Sequence, residues 1–175
     1  GNESITGCNR PLLGGETISV LGQQVSVLAV PGHTLGHLAY YVPGALFCGD
    51  TLFGAGCGRL FEGTPAQMSA SLDKIAALPD DTKIYCAHEY TEANLRFALA
   101  VEPQNPALLD RVQRVAALRA AEWPSVPSTL NEEKASNPFL RCAQIEVIQA
   151  AEEHGAVDQS PVAVFSAIRQ WRNGF

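Results

Sequence analysis

The 175-residue sequence predicts an α/β protein in two regions: mixed strands and helices over residues 1–90, then an all-helical region over residues 91–175. Two observations predict this division. Short apolar segments with a period of two, typical of strands, are confined to the first region. In the second region, apolar residues recur at intervals of three and four, as they do along one face of an α-helix. The domain boundary is therefore placed at residue 90.

Turn and cap residues delimit each element of the first region. Alternating apolar residues over 16–30, interrupted by Gly22-Gln23, predict one β-hairpin, and Pro43-Gly44 predicts the turn of a second. Thr64 followed by Pro65 predicts a helix start. Residues 83–87 form a short apolar segment that predicts a buried strand.

The second region contains four predicted helices. Thr91 is a candidate cap for the first, Asn105-Pro106 begins the next, residues 143–154 form a third, and Ser160-Pro161 begins the last. Residues 123–139 contain proline and serine and are predicted to form an ordered loop.

Composition excludes two broad classes of partner. The formal net charge of -6 provides no general cationic surface for nucleic acid or for an anionic membrane. No apolar stretch approaches the roughly 20 residues that a membrane-spanning helix needs. The 5 cysteines are widely spaced and form no C-x-x-C pair, which favours reduced thiols and a cytoplasmic protein over a disulfide framework.

Three histidines and one aspartate directly follow predicted strands. His33 and His37 come after the strand that ends near residue 30, Asp50 after the strand containing Phe47, and His88 after residues 84–86. Loops at strand ends commonly collect functional side chains, and imidazole with carboxylate suits zinc or a similar divalent metal. Spacing alone also allows each of them to be an ordinary turn residue or cap.

Five motifs carry a family resemblance. They are P-G-H-T-L-G-H at 31–37, G-D-T-L-F at 49–53, G-C-G-R-L-F-E-G-T at 56–64, A-H-E-Y-T at 87–91 and N-P-F-L-R at 137–141. In order and spacing they resemble glyoxalase II (hydroxyacylglutathione hydrolase), a family of the metallo-β-lactamase superfamily, across the whole chain. The resemblance implies the second half of a metallo-β-lactamase αββα fold, followed by the family's helical substrate-binding domain.

The resemblance also implies a reaction and a metal centre. S-(2-hydroxyacyl)glutathione thioesters, such as S-D-lactoylglutathione formed in methylglyoxal detoxification, would be hydrolysed to glutathione and D-lactate by hydroxide held at a two-metal centre. By the resemblance, His33 binds the first metal, His88 the second, and Asp50 bridges them, which makes these three the catalytic residues. The two divalent metals would be zinc, with iron or manganese as alternatives.

A second set of residues matches the family's glutathione-binding positions. By the resemblance, Arg59, Phe61, His88 and Tyr90 contact the glutathione moiety, and Arg169 and Arg172 hold its carboxylates. On the residues alone, the arginine pair could equally interact with the C-terminal dipole of its own helix.

One departure from the family is prominent. The remaining metal ligands of the family lie in a T-H-x-H-x-D-H motif, and no such motif occurs in this sequence. The expectation is a C-terminal portion that holds only part of the site and is inactive without an N-terminal half. Two alternatives stay open: a non-catalytic glutathione-binding or complementing fragment, and another hydrolase of the metallo-β-lactamase fold.

Four further residues are given structural rather than chemical roles. His37 is expected to support or pack against the site, His154 to cap a helix end, and Arg141 to hold the loop between helices. Cys57 lies between two glycines with no histidine nearby in sequence, which disfavours covalent catalysis by its thiol.

Overall fold

A six-stranded sheet forms the centre of the computed structural model, which describes residue 1 and residues 6–175. The strand order is β1 (Thr17–Val20), β2 (Gln23–Ala29), β3 (Leu38–Val42), β4 (Ala45–Gly49), β7 (Lys83–Cys86) and β8 (Ser128–Thr129), while β5 (Leu52–Phe53) and β6 (Gly56–Cys57) form a separate two-stranded hairpin. The first four strands are antiparallel, β7 is parallel to β4, and β8 is antiparallel to β7. Both predicted hairpins are confirmed. The first turn lies at Leu21-Gly22, one residue earlier than predicted, where both residues have positive φ.

Six α-helices accompany the sheet in the described part of the chain. They are α1 (Pro65–Ala76), α2 (Thr91–Val101), α3 (Pro106–Ala120), α4 (Leu130–Ser136), α5 (Ile145–Glu153) and α6 (Pro161–Gly174). The predicted starts of α1, α3 and α6 are confirmed, because the side chains of Thr64, Asn105 and Ser160 each accept a hydrogen bond from an amide of the first turn.

The sequence interpretation was wrong at two places in the second region. Thr91 is the first residue of α2 rather than its cap, and its buried side chain packs instead against Gly54. The predicted loop over 123–139 contains β8, α4 and a 3₁₀ turn over Pro138–Leu140. Strands therefore do not end at residue 90, because β8 from the helical region completes the sheet.

One face of the sheet is covered by helices. Leu46 of β4 and Ile84 of β7 belong to a single apolar core that includes Leu72 of α1, Val147 of α5 and Ile168 of α6. The core is continuous across residue 90, so the sheet and the helical region bury apolar surface against each other. None of the described helices is long and apolar enough to cross a lipid bilayer.

The other face of the sheet keeps aromatic surface in solvent. Phe47 of β4 and Tyr85 of β7 are cross-strand neighbours whose rings stack at 5.1 Å. They remain 48% and 37% exposed, respectively. Apolar side chains on a sheet face of this kind are normally packed against another layer.

Candidate active site

All the side chains predicted to bind metal or substrate line one cleft of about 490 Å³ between the sheet ends and the helical region. The cleft is lined by His33, Asp50, Phe53, Cys57, Arg59, Phe61, His88, Tyr90, Ala93, Asn94, Arg169 and Arg172. The sheet region supplies the histidines and the aspartate, and helices α2 and α6 supply the opposite wall. The cleft therefore joins residues that are more than 100 positions apart in sequence.

The ring of His33 is oriented by a backbone carbonyl. Its Nδ1 lies 2.8 Å from the carbonyl oxygen of Arg59. A carbonyl oxygen only accepts, so Nδ1 carries the proton and, in the neutral ring, Nε2 keeps its lone pair. Histidine ligands of metal sites are commonly oriented in this way. The ring of Phe61 packs against His33 with the ring centroids 4.9 Å apart.

Asp50 and His88 meet directly in the cleft. Asp50 Oδ1 lies 3.4 Å from His88 Nε2. The backbone amide of Asp50 donates to Nε2 of His37 at 3.0 Å, so this nitrogen of His37 is occupied by the loop itself. His37 thus holds the backbone of the residue that was predicted to bridge the metals, in line with the supporting role expected for it.

Two glycines allow the Asp50 loop to fold this tightly. A Cβ at Gly58 would lie 1.9 Å from the backbone oxygen of Asp50. Gly49 has a φ of +54, and a Cβ there would lie 2.7 Å from His37 Nε2. Both positions exclude larger residues, which explains the glycines of the G-D-T and G-C-G motifs.

The donor types fit a divalent metal, but the set is incomplete. His33, Asp50 and His88 offer two imidazoles and a carboxylate to one cleft, which suits zinc or a metal of similar preference. Over residues 6–175, however, no group of three or more histidine, cysteine, aspartate or glutamate side chains is close enough to hold an ion. These three side chains thus share a cleft, and their role as metal ligands stays a prediction.

The helical wall of the cleft is cationic, and Arg59 adds a positive charge from the sheet region. Burial lowers the pKa of Arg172, and the positive charges of Arg169, Arg59 and Arg96 lower it further. None of these four arginines takes part in an ion pair within residues 6–175. A cluster of cations without acidic partners is a favourable place for an anionic ligand.

Arg169 is buried and hydrogen-bonded at the base of this wall. It is only 7% exposed, and its Nη1 donates to the carbonyl oxygen of Cys57 at 3.1 Å while Nη2 donates to Asn173. Its Nε is buried and has no protein partner in the described structure. Arg172 is closer to solvent and donates to Asn94 Oδ1 at 3.5 Å. Asn94 was not singled out from the sequence, where a polar residue on a helix carries no distinguishing signal.

Aromatic rings line the rest of the cleft. Tyr90 stacks on His88 with ring centroids 5.1 Å apart and meets the edge of Phe53 at 5.3 Å. Tyr90 and Phe61 are both substantially exposed, so they present free surface beside the histidines. Such rings can pack against the apolar parts of a ligand while their positions are fixed by the histidines.

Cys57 and two residues outside the cleft behave as structural groups. Burial raises the pKa of the Cys57 thiol, an effect that Arg169 only partly offsets, so a reactive thiolate is disfavoured. Arg141 donates to Glu102 through Nε and Nη2 and to the carbonyl of Lys134, which ties the loops between helices together. His154 ends α5 and stacks on Trp171.

Two family models together match nearly the whole chain. The model described as the metallo-beta-lactamase superfamily matches residues 4–88, and the model described as the hydroxyacylglutathione hydrolase C-terminus matches residues 89–175. The hydroxyacylglutathione hydrolase of Dechloromonas aromatica (strain RCB) is 69% identical, with all of this chain and 71% of that protein covered. The chain belongs to the hydroxyacylglutathione hydrolase family. The relative from Nitrosomonas eutropha, of the same name, is 53% identical over 99% of this chain and 69% of its own length.

Solved structures of lower identity share the fold. The crystal structure of ETHE1 from Myxococcus xanthus superposes with a TM-score of 0.59 at 23% identity, covering 98% of this chain and 63% of that one. A metallo-beta-lactamase from Staphylococcus aureus gives a TM-score of 0.52 at 21% identity, covering 97% and 47%. The α/β fold expected of a metallo-β-lactamase-type region with helices after it is confirmed.

Proposed function

We propose that this chain carries the substrate-binding wall and part of the metal centre of a hydroxyacylglutathione hydrolase. The substrate is an S-(2-hydroxyacyl)glutathione, for example S-D-lactoylglutathione, and the products are glutathione and the free hydroxy acid. The observation that carries the proposal is one cleft in which histidine and aspartate side chains face arginines that have no acidic partner among residues 6–175. The family relatives bear the name of this activity.

The chain's own residues place the substrate in the cleft. Arg169 and Arg172 bind the carboxylates of the glutathione moiety, since they lack acidic partners within the described residues. Arg59, at the other side of the cleft, adds a third positive charge. Tyr90 and Phe61 pack against the remainder of the tripeptide and orient the thioester toward the histidines.

His33, Asp50 and His88 would hold two divalent metals, zinc in the first instance, together with further ligands. Such metals activate water near neutral pH and polarise a carbonyl. The carbonyl of Arg59 holds the His33 ring in the orientation that would leave its Nε2 free to bind a metal. The leaving group is the thiolate of a thiol of pKa about 8.5, so it departs without a strong general acid.

A complementing fragment is the second candidate, and a specific observation favours it. The described residues form no group of three or more metal-binding side chains, and the sequence lacks the T-H-x-H-x-D-H motif. We infer that the remaining ligands come from a polypeptide region outside these 175 residues. The exposed Phe47–Tyr85 pair lies on the sheet face that such a region would cover.

A cytoplasmic location stays a prediction.

The decisive experiment measures metal content, glutathione binding and turnover together. The 175-residue chain is incubated with Zn²⁺, its bound metal is quantified beside its intact mass, and its hydrolysis of S-D-lactoylglutathione, a lactone and a β-lactam is compared. The expected result is glutathione binding with no turnover, and turnover of the thioester once the unmatched part of the Dechloromonas aromatica relative is added.

Each contrary outcome has a separate meaning. Full turnover by the chain alone contradicts the complementing role. A preference for the lactone or the β-lactam in the complemented protein assigns a different hydrolase of the same fold. Absence of any glutathione binding by the chain refutes the assignment of the arginine wall.

A further inference from the structure

The segment between Asp50 and Arg59 is buried throughout. All eight residues from 51 to 58 are buried, including the short hairpin of β5 (Leu52–Phe53) and β6 (Gly56–Cys57). Backbone amides and carbonyls that are removed from water need other partners. A two-strand hairpin of this length satisfies few of them internally, so the surrounding side chains must satisfy the rest.

Four side chains from the helical region provide these partners. The hydrogen bonds run from Asn94 Nδ2 to the Gly54 oxygen (3.0 Å), from the Ala55 amide to Glu133 Oε2 (2.9 Å), from Asn137 Nδ2 to the Phe53 and Gly56 oxygens (3.3 and 3.0 Å), and from Arg169 Nη1 to the Cys57 oxygen (3.1 Å). We call Asn94, Glu133, Asn137 and Arg169 the polar clamp. Two of its members, Asn94 and Arg169, also line the cleft.

Asn137 holds the centre of the clamp. It is 0% exposed, and its Oδ1 accepts from the amide of Phe139, which fixes the orientation of the carboxamide. Its Nδ2 therefore faces oxygen atoms only: two hairpin carbonyls and Glu133 Oε2 at 3.0 Å. A single donor group thus bridges both strands of the hairpin.

The hairpin transmits this restraint to the cleft. The amide of Gly58 donates to the oxygen of Thr51 at 3.1 Å, and that of Thr51 donates to the oxygen of Cys48 at 3.1 Å. The backbone of Gly58 also lies against the carbonyl of Asp50. A displacement of the hairpin must therefore displace Asp50 at one end and Arg59 at the other.

We propose that Asn137 is a positioning residue that, through the buried hairpin, sets the places of Asp50 and Arg59 in the cleft. This role of Asn137 rests on the proposed function, in which Asp50 would bind metal and Arg59 would contact glutathione. The helical region then has a second task beside binding substrate, because it also fixes the aspartate on the opposite side of the cleft.

Asn137→Asp tests the proposal with little change of shape. The variant presents carboxylate oxygens to the oxygens of Phe53, Gly56 and Glu133, which accept from Asn137 in the wild type. The control is Asn131→Asp, which adds the same charge on the exposed face of α4 without touching the hairpin. Amide hydrogen exchange of the whole chain and the amide chemical shifts of Asp50 and Arg59 are measured without metal or substrate. Zn²⁺ alone is then titrated into each protein.

The expected result is local. In Asn137→Asp, exchange of the amides in 51–58 rises by roughly tenfold or more, the resonances of Asp50 and Arg59 shift, and protection in β3 and α6 is retained. The affinity for Zn²⁺ falls by a similar factor. Asn137→Ala, which removes the donor without adding charge, shows the same pattern more weakly and replaces Asn137→Asp should that protein fail to fold.

Three outcomes overturn the proposal: hairpin exchange equal to that of the control, a uniform rise over the whole chain, or unmoved Asp50 and Arg59 resonances. These readouts need neither metal nor glutathione. A wild-type chain that binds neither would refute the proposed function while the exchange comparison still decides the role of Asn137.

Discussion

The ion pair between Arg111 of α3 and Glu133 of α4 permits a quantitative test of how the helical region is stabilised. The side chains are 1% and 0% exposed, and Arg111 Nη2 lies 2.5 Å from Glu133 Oε1. Burial lowers the pKa of Arg111. The charge and hydrogen bond of Glu133, together with the charge of Glu132, raise this pKa by more than burial lowers it, so it lies above its ordinary value. Arg111 is therefore charged at neutral pH.

We expect Glu133→Gln to destabilise the chain by about 3 kcal/mol. Removing one partner of a buried pair typically costs about 3–5 kcal/mol, because the other charge stays buried without compensation. Glu132 Oε2, 3.6 Å from Arg111 Nε, offsets part of this cost and places the value at the lower end. Arg111→Met should cost a similar amount, since it leaves the carboxylate of Glu133 buried.

The double variant Arg111→Met/Glu133→Gln decides whether the two charges act as a pair. It should be more stable than the sum of the single effects by about 2 kcal/mol, because no uncompensated charge remains. Urea unfolding at pH 7, followed by circular dichroism, measures all three. Glu132→Gln, whose side chain is 22% exposed, is the matched control and should cost below about 1 kcal/mol. Full additivity, or a Glu133→Gln cost as small as the control's, would refute the reasoning.

Three further predictions concern the site and its supports. Gly58→Ala should prevent stable folding in thermal unfolding, because its Cβ would overlap a backbone oxygen, whereas Gly174→Ala meets nothing within 4 Å and should stay within about 0.5 kcal/mol of wild type. Hydrogen bonds from Ser125 lower the pKa of Glu89 in the folded protein. The stability that they contribute is therefore fully present above the ordinary pKa of glutamate, and it is lost as the pH falls through the pKa of Glu89 in the folded protein. Ser125→Ala should therefore be less stable than wild type at pH 7, with a difference that shrinks in acid urea titrations. Arg172→Met should weaken glutathione binding in calorimetry by roughly tenfold, without lowering the melting temperature.

The residues of the cleft were predicted from their positions after strands together with the family resemblance. His33, Asp50 and His88 each follow a strand, but spacing alone could not show that they lie close together, and the structure places them in one cleft. Arg169 and Arg172 required the family resemblance, since an arginine pair near a helix end has an equally good explanation in the helix dipole.

The polar clamp could not be read from the sequence. Glu133 and Asn137 bond to backbone groups about 80 positions away, and a backbone group leaves no sequence pattern to identify it as a partner. The segment 123–139 was misassigned for a related reason. A two-residue strand such as β8 shows no period, and α4, at 7 residues, gives too little periodicity to distinguish it from a loop.

The polar clamp also bears on whether the two regions are separable. The family models meet between residues 88 and 89, and the division into 1–90 and 91–175 stays a prediction. Yet all four clamp side chains lie after that junction, and the hairpin they hold lies before it. Without the helical region, the hairpin would lose both these hydrogen bonds and the side chains that cover it, so its conformation would no longer be fixed. The position of Asp50 in the sheet region thus depends on hydrogen bonds from the helical region, so under the proposed function this region would shape the metal-binding side of the cleft as well as bind the substrate.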